Sequence, residues 1–122
     1  MLVKISVENF KSFQDATELT MISSNKIRTN ASHRLKIKST QLLKYGVVYG
    51  ANASGKTNLV EFFRFFKKCV SGGIPMEAVQ MFCKNREQNK ERESNFEMQF
   101  TVGDKFYAYG FSAVLSLSLI HI

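Results

Sequence analysis

The sequence contains no tryptophan, a single proline at Pro75, and two cysteines, Cys69 and Cys83. The cysteines are too far apart for a Cys-x-x-Cys site, and His33 and His121 do not complete a zinc set, so buried thiols in a reducing compartment are expected. No basic N-terminal segment with an apolar core and no membrane-spanning apolar run is present, which predicts a cytoplasmic protein with no membrane partner. Acidic residues are missing altogether from Met21 to Val60, while Lys26, Arg28, Arg34, Lys36, Lys38, Lys44 and Lys56 fall within that stretch. The formal net charge of +7 points toward anionic partners: nucleotide, nucleic acid or acidic lipid. Hydrophobic residues at 44% and charged residues at 22% are ordinary globular values and exclude wholesale disorder. At 122 residues the chain is long enough for one small domain with a core, and short for a complete nucleotide hydrolase.

What the sequence does have is Gly50-Ala51-Asn52-Ala53-Ser54-Gly55-Lys56-Thr57, a glycine, four residues, then glycine, lysine and threonine. The preceding Leu42 to Tyr49 is nearly all apolar, as suits a strand buried on both faces of a parallel sheet. After it, Leu59, Phe62, Phe63, Phe66, Cys69 and Val70 recur at spacings of three and four, one face of a helix that Gly72, Gly73 and Pro75 end. Strand, glycine turn and helix together favour a phosphate-binding loop over a chance match. Gly50 and Gly55 permit backbone shapes that a β-carbon blocks, so successive N–H groups can converge on phosphate at the positive end of the helix. Lys56 would bridge the β- and γ-phosphates, and the Thr57 hydroxyl would ligate Mg²⁺. ATP and Mg²⁺ are the expected cofactors.

Elsewhere, Val3, Ile5 and Val7 alternate with Lys4, Ser6 and Glu8, and Thr17, Leu19 and Met21 with Ala16, Glu18 and Thr20, so residues 1–22 read as two paired antiparallel strands. The polar, basic stretch Ser23 to Gln41 reads as a loop with at most short structure. It is either a solvated surface or a polyanion-binding one. Lys84 to Ser94 is a dense run of charges, an exposed loop. Phe96, Met98, Phe100 and Val102 alternate with polar residues, Gly103-Asp104 suits a two-residue turn, and Lys105 to Phe111 returns, so 96–111 is a β-hairpin. Residues 112–122 are uncharged and end in Leu119-Ile120-His121-Ile122. A final strand with Leu115, Leu117 and Leu119 on one face would leave an uncovered edge, so the end is expected to be truncated or non-native.

Two stretches together carry a family likeness: Ile5-Ser6-Val7-Glu8-Asn9-Phe10-Lys11-Ser12-Phe13, and Gly50 to Thr57 continued by Asn58-Leu59. The chain resembles the N-terminal lobe of ABC-type ATPases of the SMC and RecF group. Within it the chain is most similar to prokaryotic AAA-family ATPases related to overcoming-lysogenization-defect nucleases and abortive-infection systems. Ala53 stands where many of the wider group have glycine, which departs from the SMC pattern. The resemblance implies an α/β P-loop NTPase, with an antiparallel β subdomain framing the base and residues 1–122 as an incomplete N-terminal part of one ATP-binding domain. It places Lys11, Ser12 and Phe13 near adenine or ribose and Asn52 near the γ-phosphate; core packing is the competing role for Phe10 and Phe13. Gln99 matches a Mg²⁺-sensing glutamine only loosely and reads better as a strand residue.

The family's late Mg²⁺-binding Asp and catalytic Glu find no counterpart, since no run of four aliphatics followed by Asp-Glu exists after the hairpin. No catalytic residue is identified. The resemblance implies that the intact protein hydrolyses ATP in a head-to-tail homodimeric sandwich and acts on DNA or RNA, through a nuclease effector, in antiphage defence or DNA repair. The alternative is a nucleic-acid-binding module using the basic segment 26–44, with a non-catalytic loop. A small P-loop kinase fits less well, because its phosphate loop would follow the first strand rather than two strands and a long loop.

Overall fold

The computed structural model describes residues 1–23, 31–50 and 55–116. Strand β1 (Leu2–Glu8) buries Val3, Ile5 and Val7 and leaves Lys4, Ser6 and Glu8 partly exposed, the period of two that a one-sided sheet requires. It pairs antiparallel with β2 (Thr17–Thr20) on one side and with β5 (Ser94–Val102) on the other. β5 continues through Gly103-Asp104, with Gly103 at φ 64°, into β6 (Lys105–Ala113). A positive φ is what a two-residue hairpin turn demands, and glycine takes it without strain. The sheet order is β2-β1-β5-β6.

The single α-helix among the described residues, α1 (Lys56–Gly72), buries Phe62, Phe65, Phe66 and Cys69 in one core with Ile5, Val7, Phe10 and Phe96. The core is unusually aromatic. Phe65 lies 5.1 Å from Phe96, and Phe66 lies 5.6 Å from Phe111, ring centre to ring centre. Gly73, at φ 81°, stops the helix and donates its N–H to the Cys69 carbonyl at 2.9 Å.

Two expectations are corrected and one is sharpened. The strand over 42–49, buried in a parallel sheet, is not formed: both sheets among the described residues are antiparallel, and of this run only Leu42 and Leu43 are in a strand, β4 (Thr40–Leu43), paired with β3 (Arg34–Ile37). Residues 45–50 carry no strand, and Val47 is 77% and Tyr49 89% exposed. A run apolar on both faces becomes a buried strand only where other strands pair with both its edges, and among the described residues none pairs with 45–50. The polar stretch before it, expected as a loop with at most short structure, holds the short β3–β4 hairpin, turned at Lys38-Ser39 with Lys38 at φ 56°. Ile37 and Leu42 pack with Val3, and main-chain bonds from Leu43 N–H to the Met21 carbonyl at 2.7 Å and from Ser23 N–H to the Gln41 carbonyl at 2.8 Å tie the hairpin to the segment after β2. On α1, Phe65 is buried and Val70 is 55% exposed, because the face packed on the core is the one formed by Phe62, Phe65, Phe66 and Cys69.

Candidate nucleotide-phosphate site

The helix that carries Lys56 starts at a left-handed residue. Gly55 has φ 97°, no side chain caps the helix, and its first turn contains no acidic residue. The helix's unpaired N–H groups and their partial positive charge are therefore left for an anion. Asn58 and Leu59 donate their N–H groups to the Gly55 carbonyl at 3.1 and 3.2 Å, which fixes the loop's exit. Lys56 Nζ donates to the carbonyl of Gly50, the first glycine of the loop. The Thr57 side chain, one residue on, is exposed.

The turn after β1 is brought against this loop. Asn9 and Lys11 both adopt positive φ, 54° and 50°, an arrangement held by many bonds. Buried Asn9 donates through Nδ2 to the carbonyls of Asn89 at 2.9 Å and Arg92 at 3.1 Å, and accepts at Oδ1 from the Cys83 N–H at 3.1 Å. The Lys11 N–H donates to Met81 at 2.8 Å, and Phe10 and Phe13 exchange main-chain bonds at 2.9 and 2.8 Å. Phe10 is thereby sunk in the core, 5.3 Å from Phe65, as the packing alternative for it required. Ser12 is carried to Gly55, its Oγ 3.1 Å from where a β-carbon on that glycine would stand.

Between the turn and the loop lies a cavity of about 360 Å³. Gly50, Gly55 and Lys56 bound it at the loop; Phe13, Leu19 and Leu59 supply apolar wall, and Thr17, Glu18, Val48 and Tyr49 complete it. Of the residues expected near the base, Phe13 lines this cavity and Ser12 touches the loop, while Lys11 does not line it. Ala51, Asn52, Ala53 and Ser54 lie outside the described residues. The sequence reading missed the β2 wall at Thr17 to Leu19 and the positioning role of Asn9. For the latter a signal existed, since asparagine is among the few residues that tolerate a left-handed backbone.

The residues present fit a nucleotide triphosphate with Mg²⁺. An uncapped, acid-free helix start, a left-handed glycine and a lysine resting on a main-chain carbonyl form a cradle for anionic oxygens, and Thr57 has the hydroxyl for a hard cation. Among the described residues no cluster of His, Cys, Asp or Glu could hold a metal by itself, so Mg²⁺ here would depend on phosphate oxygens and water besides Thr57. No described helix is long and apolar enough to cross a membrane.

Neither a search of curated proteins nor one of solved structures returns a match. A family model described as the AAA ATPase domain matches residues 1–120, nearly the whole chain, spanning β1, the phosphate loop, α1 and the β5–β6 hairpin. A match of that extent, over a fold that sets a left-handed glycine and a lysine at the head of its helix, shows the family: the chain belongs to the AAA ATPase domain family and is a P-loop NTPase.

Proposed function

We propose that this chain binds ATP with Mg²⁺ at Gly50 to Thr57, and that it forms the phosphate-holding half of an ATP-hydrolysing site. The observation that carries the reading is Gly55 at φ 97° opening an acid-free helix, with Lys56 Nζ on the Gly50 carbonyl. Lys56 would exchange that internal acceptor for phosphate oxygens, Thr57 would offer its hydroxyl to Mg²⁺, and main-chain N–H groups at the helix start would meet the remaining charge. Mg²⁺ held there would supply neutralisation of phosphate charge. The 122 residues contain no aliphatic run ending in Asp-Glu, so hydrolysis draws its water-positioning carboxylate from outside them.

In the intact protein, nucleotide binding is shared across a head-to-tail homodimer in the cytoplasm. Its opening and closing are coupled to action on DNA or RNA, through a nuclease effector, in antiphage defence or DNA repair. The support is the likeness of Ile5 to Phe13 and Gly50 to Leu59 to overcoming-lysogenization-defect and abortive-infection ATPases, together with a mechanism in which γ-phosphate contacts hold two states apart. Titration calorimetry tests the core of the reading: ATP with Mg²⁺ binds the wild type, and Lys56→Ala abolishes binding. Equal affinity in the two proteins would sink it.

A second reading has its own observation. The β3–β4 hairpin exposes Lys36 and Lys38, and Lys44 follows β4, also exposed, so an ordered basic ribbon is available to a nucleic-acid backbone. It predicts DNA binding that weakens steeply with salt, is indifferent to ATP and Lys56→Ala, and is lost on charge reversal at Arg34, Lys36 and Lys38.

A further inference from the structure

We propose that the outer edge of β6 pairs antiparallel with β6 of a second copy of this chain, about a two-fold axis at Tyr109, so that two four-stranded sheets become one. The contact does not rest on the nucleotide reading. β6 lies at the end of the sheet opposite β2, and it is β2 that gives Thr17, Glu18 and Leu19 to the nucleotide cavity.

In the order β2-β1-β5-β6, no strand among the described residues pairs with the far side of β6. The strand is nine residues long, its register with β5 runs unbroken from Lys105 to Ala113, and after Lys105 it carries neither charge nor proline. Edge strands are ordinarily blunted by charge, proline, a bulge or short length, because their unpaired main-chain groups invite another strand. The opposite edge is blunted in this way: β2 has four residues and carries Glu18. Pairing through β6 therefore stops at two copies.

The hairpin register decides which groups of β6 face outward. Val102 and Lys105 close the two-residue turn as a hydrogen-bonded pair, and bonded pairs alternate with non-bonded ones along the ladder. Tyr107, Tyr109 and Phe111 thus spend their main-chain groups on β5. The Phe96 carbonyl, opposite Phe111, is accordingly aimed at β6, 2.9 Å from the point that a β-carbon on Gly110 would occupy. Phe106, Ala108, Gly110 and Ser112 turn their groups outward. Among the registers that oppose outward residues to one another, the one centred on Tyr109 engages all of them: Phe106 faces Ser112 of the second copy, and Ala108 faces its Gly110.

The side chains suit that register. On the face of Phe106 and Ala108, each larger side chain meets a smaller one. On the face toward α1, Tyr107 meets Phe111 of the second copy, Tyr109 meets its own counterpart across the axis, and Lys105 meets Ala113. No like charges are opposed, and aromatic cross-strand pairs stabilise a ladder. Phe106, Tyr107 and Tyr109 are exposed in the single chain, so pairing removes apolar surface from water. Tyr109 also lines an apolar groove of about 530 Å³ with Phe63, Phe66, Val70 and Met98, which borders the contact on the α1 side.

The test is sedimentation equilibrium of the full chain without nucleotide, for the wild type, Ala108→Pro, Tyr109→Lys and Tyr109→Glu, with circular dichroism to show which variants are folded. The wild type is expected to sediment as a dimer. Ala108→Pro removes an outward N–H that the β5 ladder does not use, a change that an edge strand accepts, and weakens the dimer about tenfold or more. Tyr109→Lys and Tyr109→Glu each set like charges against one another across the axis and are expected as monomers, whereas an equimolar mixture of the two re-forms a dimer. A monomeric wild type overturns the proposal. A dimer that forms only with ATP, or one that the folded variants leave intact, places the interface elsewhere and overturns it as well. Folded Tyr109 variants that stay monomeric when mixed overturn the register. Where the Tyr109 variants do not fold, Ala108→Pro decides: an undiminished dimer in that variant overturns the pairing.

Discussion

Ser12 Oγ stands 3.1 Å from the point that a β-carbon on Gly55 would occupy, so the turn after β1 and the head of α1 are fitted to a glycine at that position. Gly55→Ala meets two penalties there. The contact is tighter than van der Waals distance, and φ 97° is strained for any L-residue, at about 1–2 kcal/mol. The variant is expected to bind ATP at least tenfold more weakly by calorimetry. Adding Ser12→Ala relieves only the contact, so the double variant should recover little; full recovery would show that the backbone shape of Gly55 is unimportant.

Asn9 ties the same turn to residues 83–92 from the inside. Asn9→Ala leaves the Cys83 N–H and the Asn89 and Arg92 carbonyls short of a partner, and a loss of about 2–3 kcal/mol in denaturant unfolding is expected. Asn9→Asp should do no better, because it aims an oxygen at two carbonyls where an amide donated.

Phe65 and Val70 separate the buried from the exposed part of α1's apolar stripe. Phe65, 3% exposed and set against Phe10, Phe96 and Phe111, should cost about 3–5 kcal/mol on change to alanine. Val70→Ala should stay within about 0.5 kcal/mol. Comparable losses at the two positions, measured by urea titration, would contradict this packing.

Cys69 is held in the core, and burial pushes its thiol up from 9.0 to about 11. The thiolate is scarce at neutral pH, so iodoacetamide at pH 8 should leave Cys69 unmodified until the chain unfolds. A raised folded value means that the folded state keeps its proton longer than the unfolded one. The thiol's contribution is complete below pH 9.0 and falls away as pH rises toward about 11, so the stability difference between wild type and Cys69→Ala should shift against the wild type across that interval.

Several features follow from chemistry local to the chain. Gly55-Lys56-Thr57 ahead of an apolar period of three and four marks a phosphate loop opening a helix, and Gly72-Gly73 marks that helix's end, because glycine alone takes the required backbone without strain. The alternation in Val3-Lys4-Ile5-Ser6-Val7, and the Gly103-Asp104 turn between alternating strands, likewise depend only on neighbours along the chain. Other outcomes depend on what lies across space. Whether Phe65 or Val70 is buried follows from which side of the helix meets Phe10, Phe96 and Phe111. Whether 45–50 becomes a strand follows from the presence of partners on both its edges. The Asn9 knot and the cavity between Phe13, β2 and Lys56 require residues far apart in sequence to meet. Hydrogen bonds to a neighbour along the chain are specified by the chain; burial and edge pairing have no value until a second surface arrives, and only the tertiary structure supplies it.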